Sequence, residues 1–108
     1  TPFVEKFARL VYEQMDNGHV SITEIAGQMC VTREQLNRKI KATTGLTASS
    51  LVTWLRMRRA CRLLTERPDL QVMEVALKCA ISDVSYFTTL FKRETGKTPA
   101  QYRSEGNG

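Results

Sequence analysis

A chain of 108 residues, 42% of them hydrophobic, is long enough to bury one core, and its 16 Lys and Arg against 11 Asp and Glu suit a polyanionic partner. No apolar run approaches the roughly 20 residues of a membrane span, and no basic-then-apolar leader opens the chain. A single histidine, His19, with no grouped Asp, Glu, Cys or Ser, argues against catalysis and metal binding, and no cofactor is expected.

In chain order, Phe3, Val4, Phe7, Ala8, Val11 and Met15 recur at steps of three and four, predicting a core-forming helix that Gly18 ends. Ser21 with Glu24 reads as a capping box opening a short helix with Ile22, Ile25, Ala26 and Met29 inward. Thr32 with Gln35 opens another, anchored by Leu36 and Ile40. Two short helices separated by a brief break are the helix-turn-helix plan. Gly45 closes that helix, and Thr47 caps a long one whose apolar stripe is read as Leu51, Trp54, Leu55, Met57, Ala60, Cys61 and Leu64, with Arg56, Arg58, Arg59 and Arg62 outside. Trp54 is expected in the core. After Pro68-Asp69 the small-helix scheme returns with Val72, Val75, Ala76 and Cys79, then Ser82 as a cap, then Phe87, Leu90 and Phe91. Gly96 closes this helix, and Pro99 starts a last short one with Tyr102. Cys30, Cys61 and Cys79 lie in apolar helical patterns without C-x-x-C spacing, so buried free thiols are expected.

The expected fold class is all-α: about seven helices forming two helix-turn-helix subdomains joined by a long linking helix. The divisions are 1–18 (N-terminal helix), 19–46 (first motif), 47–66 (linking helix), 67–103 (second motif with closing helix) and 104–108 (disordered tail).

The two motifs are one unit written twice. Ile22, Glu24, Ile25 and Ala26 match Val72, Glu74, Val75 and Ala76 at an offset of 50. After a one-residue insertion near Val84, Leu36, Ile40, Lys41, Thr44, Gly45, Thr47 and Leu51 match Phe87, Phe91, Lys92, Thr95, Gly96, Thr98 and Tyr102 at 51. Positive charge is concentrated over the same region, since residues 21–108 hold 14 basic and 8 acidic side chains.

The run LLTERPDLQVMEVALKCAISDVSYFTTLFKRETGKTPAQYR resembles the AraC/XylS signature, with Ala76, Ser82, Tyr86, Phe87, Phe91, Lys92, Gly96, Pro99, Tyr102 and Arg103 at that family's preferred positions. The likeness extends through Arg56, Ala60 and EIAGQMCVTREQLNRKIKATTG, covering roughly residues 20–103. Ala80-Ile81 stands where the family usually carries Gly-Phe, which bears on the tightness of the turn. QLNRKIKATTGLT, preceded by a helix like residues 3–16, is similar to the output domains of two-component and hybrid sensor regulators. The resemblance implies seven helices and double-stranded DNA binding for transcription regulation in the cytoplasm, leaning to activation. It also implies RNA polymerase as a partner of the full protein. Thr1 in place of Met fits an excised piece, with the signal-receiving region and any oligomerisation expected outside it.

On the first recognition helix the candidate DNA contacts are Arg33, Glu34, Asn37, Arg38 and Lys41. Arg38 suits a bidentate pair with guanine, Asn37 one with adenine, and Glu34 accepts from cytosine. On the second they are Asp83, Val84, Ser85, Thr88, Thr89 and Lys92, a set poor in base readers, so most specificity is expected from the first motif. The linking helix, at about 1.5 Å per residue, spans a distance compatible with recognition helices in successive major grooves if the DNA bends or the units lean outward. A helix-turn-helix module that docks an acidic protein is the alternative, while RNA binding is disfavoured because no aromatic sheet or Gly-rich clamp is present.

Overall fold

A computed structural model of the chain describes residues 1–107, and every element among them is helical: α1 (Pro2–Asp16), α2 (Ile22–Gln28), α3 (Arg33–Thr44), α4 (Ala48–Glu66), α5 (Val72–Lys78), α6 (Val84–Thr95) and α7 (Pro99–Asn107). The chain divides into two compact units, Thr1–Leu55 and Arg56 onward, the division falling within α4, the expected linking helix. α7 runs through residues 104–107, where a tail was expected, with Lys97 paired to Glu105 beside it; Gly108 lies outside the described residues.

In the first unit α1 packs against α2 and buries Phe7, Val11 and Met15, while α2 and α3 contribute Ile25, Ala26, Leu36 and Ile40 to the same core. The first part of α4 closes this core with Ala48, Leu51, Val52 and Leu55. In the second unit the rest of α4 buries Met57, Ala60 and Leu64, while α5 and α6 supply Val75, Ala76, Cys79, Phe87, Leu90 and Phe91. α7 is pinned from both ends of its packing face. The Tyr102 ring stands edge-on to Phe91 at 5.5 Å, and the Arg103 guanidinium donates to the Leu64 and Arg67 carbonyls, both at 3.1 Å. The Leu64 carbonyl belongs to the last turn of α4, where helical acceptors have no partner within the helix, and that of Arg67, just past the helix, also accepts from Leu70 N–H at 3.1 Å.

Two expectations about α4 need correction. Trp54 is 49% exposed, whereas Val52, absent from the expected stripe, is buried. At about 100° per residue, Ala48, Leu51, Val52 and Leu55 gather on one side of the helix and Met57, Ala60 and Leu64 on another, so no single stripe runs its length.

The turn of each motif is a Schellman closure of its first helix. Val31 N–H reaches the Ala26 carbonyl at 3.0 Å and Cys30 N–H that of Gly27 at 3.1 Å; Ile81 to Ala76 and Ala80 to Leu77, both at 2.9 Å, repeat this. The residue that must turn left-handed is glycine in neither case: Cys30 has φ 59° and Ala80 φ 61°. The Ala80-Ile81 departure therefore leaves the turn closed, with Ile81 filling the core, but it retains a Cβ in a conformation that disfavours one. Ala80→Gly is expected to stabilise the second unit by about 0.5–1 kcal/mol, relief of that strain outweighing glycine's extra chain entropy. A denaturant midpoint that fell would contradict this.

The cysteines differ more than expected. Cys30 is exposed and Cys61 half-buried, so only Cys79 fits a buried thiol. Burial pushes Cys79 up to about 12, against the smaller opposing pull of Arg59 and Arg56, and its Sγ lies 3.4 Å from the Arg56 carbonyl oxygen. The folded state thus holds this proton more tightly than the unfolded chain. The stability it contributes is intact below the ordinary thiol value of 9.0 and is lost as pH rises toward about 12. At pH 8 a thiol reagent should label Cys30 and leave Cys79 untouched until the chain unfolds, as mass measurement after timed quenching would show.

Candidate nucleic-acid interface

The two recognition helices are α3 and α6, and their local chemistry is nearly the same. Thr32 accepts from Gln35 N–H at 3.1 Å while Gln35 Oε1 accepts from Thr32 N–H at 2.9 Å, completing the expected capping box. The box at Ser21 is half as expected: Ser21 Oγ accepts from Glu24 N–H at 3.2 Å. The return bond, however, comes from Gln14 of α1, whose Oε1 takes Ser21 N–H at 2.6 Å.

α6 is capped by Asp83 and not by Ser82. Its Oδ1 accepts from Ser85 N–H at 2.9 Å and Tyr86 N–H at 3.1 Å. With Val31 paired to Ile81 and Thr32 to Asp83, the inserted residue is Ser82. Asp83, expected among the groove contacts, thus has its carboxylate engaged at the helix end through Oδ1.

Both helices close alike. Gly45 and Gly96 take φ of 78° and 84°, and the Thr44 and Thr95 hydroxyls each donate to a carbonyl four residues back at 2.8 Å.

Opposite the buried Leu36 and Ile40, α3 exposes Glu34, Arg38 and Lys41; opposite Phe87 and Phe91, α6 exposes Ser85, Thr89 and Lys92. The repeat offset carries one triple onto the other. Arg33 sits to the side at the first turn, its guanidinium donating to Thr23 of α2 at 3.3 Å, and its counterpart Val84 is exposed. Asn37 and its counterpart Thr88 are half-buried on the flank. Asn37 Oδ1 accepts from Ala48 N–H, the first residue of α4, at 2.8 Å. Sequence reasoning also passed over Lys39, whose ammonium stands 5.3 Å from the centre of the Phe3 ring and which shares a surface groove with Cys30, Gln35 and Arg38. Arg56 is half-buried, its guanidinium value lowered by burial and its Nε without a hydrogen bond among the described residues, consistent with a part in the fold. No described helix is long and apolar enough to cross a membrane.

The family model described as "Helix-turn-helix domain" matches residues 18–105. The HTH-type transcriptional regulator MtrA of Neisseria gonorrhoeae is 34% identical over 86 residues, which are 80% of this chain and 28% of that protein. The HTH-type transcriptional activator RhaR of Salmonella typhi is 38% identical over 72 residues, 67% of this chain and 25% of that one. The chain therefore spans about a quarter of the length of the curated relatives it matches.

Among solved structures, the C-terminal domain of AraT, a response regulator from Geobacillus stearothermophilus, superposes with TM-score 0.85 at 28% identity, covering 97% of this chain and 86% of that one. A transcriptional regulator from Chromobacterium violaceum, described as of the AraC-type DNA-binding domain-containing proteins, gives 0.86 at 25%, covering 97% and 92%. The DNA-binding domain of AdpA, solved with a target DNA, gives 0.83 at 25%, covering 96% and 91%. With the motif present twice inside a match that covers most of its length, the chain belongs to the AraC-type helix-turn-helix family.

Proposed function

We propose that the chain binds double-stranded DNA sequence-specifically as the output domain of a transcription regulator, acting in the cytoplasm as an activator that engages RNA polymerase. One observation carries the reading most: the faces opposite the anchors of α3 and α6 present Glu34, Arg38, Lys41 and Ser85, Thr89, Lys92 at identical spacing on helices of the groove-entering kind. The AdpA domain bound to its target DNA and the activator RhaR support it, and the response regulator AraT supports control by a two-component or hybrid sensor. Arg33, Val84 and Thr88 flank the two triples and serve as phosphate or methyl-group contacts. Arg38 and Lys41 are stronger readers than Thr89 and Ser85, so the first motif supplies most of the discrimination.

Selection of bound sites from random duplex DNA, repeated across a salt series, tests this. The expected site is asymmetric, about two helical turns long, with one sharply and one loosely defined half, and affinity falls steeply with salt. Lys92→Ala should weaken binding to every sequence alike and lower the salt slope by about 1. Salt-insensitive binding with no recovered site would overturn the reading. A twofold-symmetric site that needs two chains would overturn its asymmetric form.

A further inference from the structure

We infer that Asn37 is a positioning residue that fixes the recognition helix α3 against the first turn of α4, and that it reads no base. The inference rests on the proposed DNA-binding role of α3. Its structural half does not.

The first N–H groups of any helix have no partner within it. In α4 two of them are met by side chains: Thr47 Oγ1 accepts from Ser50 N–H at 3.1 Å, and Asn37 Oδ1, reaching across from α3, accepts from Ala48 N–H at 2.8 Å. Ala48 is 1% exposed, so its amide has no easy recourse to water. The pair lies eleven residues apart and joins the middle of the reading helix to the element that closes its core. Arg38, the next residue along α3, takes its direction from a helix whose rotation this bond resists.

The second copy of the repeat serves as an internal control. There Thr98 Oγ1 accepts from Gln101 N–H at 3.2 Å, as Thr47 does for Ser50. The residue matching Ala48 is Pro99, which has no N–H to satisfy. The residue matching Asn37 is Thr88, with no side-chain acceptor of comparable reach. An amide stands in α3 where a donor needs it, and none stands in α6 where no donor exists. A base-reading role would not predict that correlation.

The test is a melting and binding cycle on the 108-residue chain. Asn37→Ala should lower Tm by about 4–8 °C, because a buried amide loses its acceptor. In an Ala48→Pro background, where that amide is gone, the same change should shift Tm by less than about 2 °C. Asn37→Asp retains an acceptor at a helix start but loses the donor that adenine N7 requires. It should keep Tm near that of the starting chain and select the same DNA site, with affinity reduced evenly by the added negative charge.

An unchanged Tm for Asn37→Ala, or an equal loss in both backgrounds, would overturn the capping role. A loss of preference of about fivefold or more at one A·T pair in Asn37→Asp would overturn the claim that it reads no base. If the unaltered chain selects no site at all, the DNA-reading assignment of α3 fails, and the melting cycle still decides what Asn37 does.

Discussion

Phe91→Ala is expected to destabilise the second unit by about 3–5 kcal/mol, the range for truncating a fully buried aromatic ring. Phe91 is 0% exposed, its ring centre lies 5.8 Å from Phe87 and 5.5 Å from Tyr102, and it joins α6 to α7. Its loss leaves a cavity in a close-packed cluster, and it slackens the helix from which Arg103 reaches the end of α4. Because domains of this size are stable by only about 5–15 kcal/mol, the variant should begin to unfold near physiological temperature. Chemical denaturation followed by circular dichroism measures the change, and a loss below about 1 kcal/mol would mean the Phe87–Phe91–Tyr102 cluster is not the centre of that core. Ile40, the matching residue of the first unit, is equally buried but smaller, so Ile40→Ala should cost less, about 2–5 kcal/mol with the lower end favoured.

Arg38→Ala should reduce discrimination between the selected site and random DNA by about 1–3 kcal/mol, roughly 5- to 150-fold, and flatten preference at one guanine. Arg38 and Lys41 are the basic side chains that α3 presents opposite its buried anchors, and of the two the planar guanidinium of Arg38 has the fork geometry for a bidentate contact to guanine. Glu34, one turn earlier, lies in the first turn of the helix, where a carboxylate is favoured by the helix dipole whatever the DNA does. Competition binding with the selected duplex against scrambled duplex reads the ratio. Equal losses on both would reassign Arg38 to phosphate.

These two predictions differ in how much of their basis was visible in the sequence. Phe91 was legible because apolar periodicity and the 51-residue offset to Ile40 are local, redundant signals, and the same holds for the Thr32–Gln35 box, whose partners are three residues apart. The Asn37–Ala48 bond was not foreseen because its partners are eleven residues apart on different helices, and propensity carries no record of such a bond. Ser82 and Asp83 are both good caps, and a one-residue insertion decided between them, something only the backbone reveals. Trp54 was placed in the core because a periodicity argument draws one stripe per helix. A helix that serves one core with its first half and another with its second has two. The paired αL residues Cys30 and Ala80 were invisible for the opposite reason: neither is the glycine or asparagine that usually announces that conformation.

The sharing of α4 has a practical side for anyone dissecting the chain with enzymes. Domain seams usually lie in extended, exposed peptide, where a protease can draw the backbone into its cleft. Here the seam between Leu55 and Arg56 is in the middle of a hydrogen-bonded helix, while the non-helical stretches between helices, residues 17–21, 29–32, 45–47, 67–71, 79–83 and 96–98, all fall inside one unit or the other. Limited digestion would therefore nick within the units before it separated them, and the fragments that survived would suggest boundaries the folded chain does not have.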